Sequence, residues 1–127
     1  MTKMATIRID GLVLKAVIGT QPHEQEKPQD VVIYLSLDYD ASKAAASDDI
    51  KDAVDYFALK ERIGSLVMAG RYNLVERLAQ DILNVIMEDP RIDRAVVTVS
   101  KPTALSGVRS VGVTMIQQRP YGTSRCY

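Results

Sequence analysis

The sequence holds one cysteine and one histidine in 127 residues. Cys126 lies one residue from the end, so no internal disulfide can form, as expected of a cytoplasmic chain. His23 alone cannot supply a structural zinc site, a three-histidine catalytic zinc site or a Cys–His nucleophile pair. A Gly-rich phosphate loop is missing, and so is a compact acidic motif for magnesium. Neither sign of charge is in excess: 16 basic and 16 acidic residues are interspersed, which argues against a nucleic-acid face or a membrane-surface patch. No apolar run approaches the roughly 18 residues of a membrane span. The opening Met-Thr-Lys-Met-Ala-Thr leads into a strand pattern without a signal-peptide core. These absences predict a cytoplasmic protein without a zinc site, folded as one domain over residues 1–127, and leave carboxylate-bound magnesium open.

What is present is periodicity. Leu74, Val75, Leu78, Ala79, Ile82, Val85 and Ile86 form one apolar stripe at helical spacing, with Arg77, Asp81, Asn84 and Glu88 opposite. Asn73 stands where an N-cap belongs, and Glu76 three residues on completes an Asn-x-x-Glu capping box. An earlier helix starts near Asp55, with Tyr56, Leu59, Ile63, Leu66 and Val67 on one face and Gly70 as its C′ stop. Alternation predicts strands over 6–18, 30–40, 94–100 and 108–118. Residues 20–29 read as a polar loop, 41–54 as an irregular connection and 119–127 as a frayed tail.

The order ββααββ predicts an α+β fold: a four-stranded antiparallel sheet with two helices on one face and a core over about 5–118. The other sheet face carries Val32, Tyr34, Val96 and Thr98 among Ser36, Ser100 and Ser110. That is too apolar to stay wet, so it is expected to pack on further copies of the chain.

Four residues could carry chemistry, and each has an ordinary explanation. Lys101, pinned by Pro102 at a strand end, resembles any solvated strand-end lysine. Glu24 reads as a loop acid, Tyr56 as a core tyrosine with a satisfied hydroxyl, and Glu76 as a helix cap. Together they form a pattern. Ile18-Gly19 precedes Glu24 by five residues, and Asp48-Asp49 precedes Val54-Asp55-Tyr56. Then come Leu74-Val75-Glu76-Arg77-Leu78-Ala79 and Val99-Ser100-Lys101-Pro102.

In order and spacing these segments resemble the dihydroneopterin aldolases, over roughly residues 5–117. The resemblance implies the tunnelling fold, with four subunits joined in a ring and two rings stacked into a homo-octamer. It implies a small-molecule pterin substrate, no metal or other cofactor, and sites between subunits. Glu76 and the Val75 backbone would hold the pterin, and Tyr56 would reach in from a neighbouring chain. Lys101 would be the acid/base, and Glu24 would position the substrate hydroxyls and the group that moves protons. The implied reaction is retro-aldol cleavage of 7,8-dihydroneopterin in folate biosynthesis. The related dihydroneopterin triphosphate 2′-epimerases share fold and pattern, although Lys101-Pro102 and Asp55-Tyr56 look more aldolase-like. A non-catalytic pterin-binding ring is the remaining alternative.

Overall fold

The computed structural model describes residues 2–102 and 104–120. The chain runs β1 (Met4–Ile18), α1 (Pro22–Glu26), β2 (Gln29–Asp40), α2 (Ser42–Ser47), a 3₁₀ turn (Ile50–Asp52), α3 (Tyr56–Ala69), β3 (Arg71–Tyr72), α4 (Val75–Ile86), β4 (Ile92–Lys101) and β5 (Val111–Gln118). Four long antiparallel strands lie in the order β1-β2-β4-β5. To the free side of β1 is added β3, two residues that pair in parallel with Val17 and Ile18 and that no periodic pattern announces.

Strand alternation decides what is buried. Val31, Ile33, Leu35, Leu37 and Tyr39 of β2 face the helices together with Ala95, Val97 and Val99 of β4, and all are buried. Near Gly11, whose φ is +77°, the pairing of β1 with β2 shifts between Ile9 and Leu12. The inward set therefore changes from Ile7 and Ile9 to Leu12, Leu14 and Ala16, because a bulge exchanges the two faces of a strand. The opposite face remains open, with Val13, Tyr34 and Ile116 exposed.

Helix α4 lies against β4 and β5, and α3 against β1. Leu78, Ala79, Ile82, Leu83, Val85 and Ile86 of α4 are buried. Burying each leucine or isoleucine contributes about 1.5–3 kcal/mol. Helix α3 commits less of itself, with only Ile63 and Val67 fully buried.

Several local expectations are corrected. The 20–29 loop contains α1, and the 41–54 connection contains α2, closed by Asp48 in the left-handed conformation at φ +57°. Gly70 does not end α3 in the left-handed manner: its backbone is extended. A side chain there would strike the Tyr72 phenol, 2.5 Å from an added Cβ. Arg119 is not frayed, since its guanidinium donates to the carbonyls of Ile92, Met87 and Asp89 at 2.7, 2.6 and 2.9 Å. Residues 121–127 of the expected tail, with Cys126, lie outside the described residues.

Candidate active site

Lys101 is the last residue of β4 and continues the inward parity of Val97 and Val99. That parity draws its ammonium under the sheet end, where a buried charge needs a partner. The partner is Glu24, 77 residues away, with Nζ to Oε2 at 2.7 Å. The two side chains are only 11% and 17% exposed. The Lys101 hydrogen bond holds the Glu24 carboxyl at about 2, and the Gln21 amide and Gln29 reinforce it against partial burial, which pushes the other way. Glu24 is therefore a carboxylate at any ordinary pH. Gly19 makes room for it. Its φ of +136° suits glycine, and an added Cβ would collide with the Glu24 carboxylate.

The segment around Glu24 is fixed by two glutamines that no periodicity or motif singles out. Gln29 Nε2 donates to the Ile18 carbonyl at 2.7 Å and to Glu24 Oε2 at 3.3 Å. Gln25 Nε2 donates to the carbonyls of Gly19 and Tyr72 at 2.6 and 2.9 Å. Tyr72 belongs to β3, and three residues after it α4 begins. Thus β3 brings the start of α4 to the same end of the sheet as the Lys101–Glu24 pair.

The helix start differs from the expected capping box. Leu74, not Asn73, is the N-cap, and no side chain caps the helix. Glu76 is consequently the second helical residue, exposed, with no hydrogen bond or ion pair to another described residue. The amides of Val75 and Glu76 have no intrahelical acceptor at these positions. Two backbone donors and a free carboxylate acceptor thus stand side by side, the complement of a planar ring edge that alternates acceptor and donor.

Tyr56 does not join this group within one chain. It opens α3 beside the β1 bulge, lining a depression of about 370 Å³ with Ile9, Asp10, Gly11, Leu12, Phe57 and Lys60. Six residues of β1 at roughly 3.3 Å each, or about 20 Å, separate that bulge from Ile18 and the Glu24 loop. At 61% exposed it is not the core tyrosine that its place on the apolar stripe suggested. The larger depressions of about 580 and 680 Å³ also lie away from the pair, around Val54 and Ile86 and around Asp40 and Lys43.

Comparison with known proteins shows the family to which these elements belong. The family model described as FolB, dihydroneopterin aldolase, matches residues 7–116. The chain is 38% identical over 116 residues to the dihydroneopterin triphosphate 2′-epimerase of Pseudomonas aeruginosa, covering 91% of this chain and 94% of that protein. It is 31% identical over 110 residues to the dihydroneopterin aldolase of Escherichia coli, covering 87% and 90%. The crystal structure of the Escherichia coli aldolase in complex with neopterin superposes with a TM-score of 0.85 at 29% identity, covering 89% of this chain and 98% of the other. The α+β fold expected from the strand and helix order is therefore the observed one, with one short strand added, and the structural match is consistent with the tunnelling fold that the resemblance implied. With its core segments, its Lys101–Glu24 pair and its open helix start all inside the matched region, the chain belongs to the dihydroneopterin aldolase family.

Proposed function

We propose that the protein cleaves the C1′–C2′ bond of 7,8-dihydroneopterin, giving 6-hydroxymethyl-7,8-dihydropterin and glycolaldehyde. The observation that carries this reading is the shielded Lys101–Glu24 pair at 2.7 Å, at the same sheet end as the Glu76 carboxylate, which bonds to no other described residue. Glu76 accepts from the 2-amino group and N3 of the pterin, and the Val75 backbone supplies the complementary hydrogen bonds. Lys101 takes the proton of the 2′-hydroxyl as the neutral amine, not as the ammonium paired with Glu24, and so becomes the ammonium that can later return a proton. As the C1′–C2′ bond breaks, its electron pair moves into the ring C=N bond next to C1′, and glycolaldehyde leaves. Returning a proton to C1′ restores the C=N bond. The ring stores the charge, so the step requires neither a Schiff base nor a metal. Glu24 holds Lys101 and orients the side-chain hydroxyls. Positioned proton transfer of this kind contributes about 10²- to 10⁴-fold.

In this reading the site is completed by Tyr56 of a second copy, because the chain's own Tyr56 stands about 20 Å off along β1. Val13, Tyr34 and Ile116 on the open sheet face are then covered by neighbours, in a four-membered ring that stacks into an octamer. A second reading, 2′-epimerisation of dihydroneopterin or its triphosphate, is favoured by the higher identity to the Pseudomonas aeruginosa epimerase. It needs the same cleavage, followed by re-addition to the opposite face of the aldehyde. Incubating the purified protein with each substrate, without added metal, decides among the outcomes. Glycolaldehyde release supports the aldolase and monapterin formation the epimerase, whereas pterin binding without turnover leaves only a binding ring.

A further inference from the structure

We propose that Gln25 is a positioning residue that fixes the proton-transfer pair relative to the start of α4; this rests on the reading just given. A glutamine amide carries two N–H hydrogens, and both are engaged here, on Gly19 O and Tyr72 O at 2.6 and 2.9 Å. Gly19 is the residue against which the Glu24 carboxylate packs. Tyr72 O also accepts the Gly19 amide at 3.0 Å, so two donors meet at one carbonyl. From the other side the Arg71 guanidinium donates to Gln25 O at 3.0 Å. Side chain and backbone of Gln25 are thereby both tied to β3, three residues ahead of Val75.

Helix α1 spans only five residues, from Pro22 to Glu26, and buries none of them. So short a helix does not hold its place alone. Its position, and with it that of Glu24, depends on these bonds together with those of Gln29 and Lys101. Few other residue types could replace Gln25. Asparagine lacks the reach, and glutamate has no hydrogen to donate to either carbonyl. Loosening this clamp leaves the ring-binding groups of α4 in place but moves Glu24 and Lys101 against the bound side chain. A shift of about 1 Å at such a distance costs up to 10²-fold in rate.

The test uses Gln25→Glu, Gln25→Ala and Arg71→Ala in the full chain. Fluorescence titration with neopterin counts competent sites and gives the affinity, and kcat is expressed per counted site. The Gln25 variants are expected to lose about tenfold or more in kcat per site, with neopterin Kd within about threefold of the parent. Arg71→Ala removes one bond of the clamp and is expected to lose about threefold in kcat per site at unchanged Kd; it carries the test if the Gln25 variants do not fold. A purely architectural role would reduce the number of sites without lowering kcat per site. Either that result or a rise in Kd at unchanged kcat overturns the proposal. A parent protein that binds neopterin yet turns over neither substrate overturns the functional reading instead, and the positioning role with it.

Discussion

Replacing Glu76 by glutamine separates two roles that one residue could hold. Were Glu76 the third residue of a capping box, glutamine would still close it. The structure removes that role: Leu74 is the N-cap, and the Glu76 carboxylate bonds to no other described residue. Folding then loses only the attraction between an exposed carboxylate and the helix N-terminus, about 0.3–1 kcal/mol. For a domain of this size that lowers Tm by less than about 5 °C. Binding loses far more. Hydrogen bonds to a charged acceptor are worth about 1.5–3 kcal/mol, and the new amide turns donors towards the donors of the ring edge. A net loss of about 2–3 kcal/mol corresponds to a neopterin Kd raised about 30- to 150-fold. Fluorescence titration and a thermal melt on the same sample read both quantities. A Kd within about threefold of the parent would refute the assignment of Glu76 as the pterin ligand. A large fall in Tm would show that the carboxylate has a structural partner.

Three further outcomes follow from the geometry. Glu24 sits at about 2 against 4.5 for an unperturbed glutamate, so the unfolded chain takes up its proton first as the pH falls. The stability contributed by the Lys101–Glu24 pair is complete above pH 4.5 and is lost between there and 2. In Lys101→Met the carboxyl titration, followed by ¹³C NMR, is expected to move up towards 4.5, and a midpoint that stays near 2 contradicts the pairing. Gly19→Ala places a side chain on the Glu24 carboxylate and strains a backbone at φ +136°, at about 1–3 kcal/mol. It is expected to lower both Tm and activity, and a fully active variant rules out the close packing. Finally, Tyr56→Ala and Lys101→Met chains, each inactive, are expected to regain about a quarter of the parent activity when unfolded and refolded together, because random mixing pairs intact Tyr56 with intact Lys101 at that fraction of shared sites. No recovery would mean that one chain builds the whole site.

The long elements were legible because one face of each is buried. The run Val31, Ile33, Leu35, Leu37, Tyr39 and the stripe of α4 both follow from the cost of wetting apolar side chains, whatever packs against them. What escaped notice is short or set from a distance. Strand β3 has two residues, and its pairing partners lie 54 positions back in the chain. Helix α2 contains Ala44, Ala45 and Ala46, but Ser47-Asp48-Asp49 hid it, although Asp48 is its left-handed end rather than a bar to its formation. The start of α4 moved one residue, from Asn73 to Leu74, because cap preference is worth only about 1 kcal/mol and tertiary context outweighs it.

The same division runs through the site. Lys101, Glu24 and Glu76 each have an ordinary explanation alone and could be picked out only because their order and spacing resemble a known family; the structure brings the first two together at 2.7 Å. Gln25 acts through geometry. A glutamine in a polar loop carries no periodic signal, and its two acceptors come from positions 6 and 47 residues away. This bears on the choice between cleavage and epimerisation. Both begin with the same broken bond and the same acid and base. They part according to whether the aldehyde escapes or stays long enough to turn and add back. Retention and alignment of that fragment depend on how firmly the loop of Glu24 is held to β3 and α4. Two chains with identical proton-moving groups can therefore release different products, and the residues that decide between them are to be sought among the clamps rather than among the acids and bases.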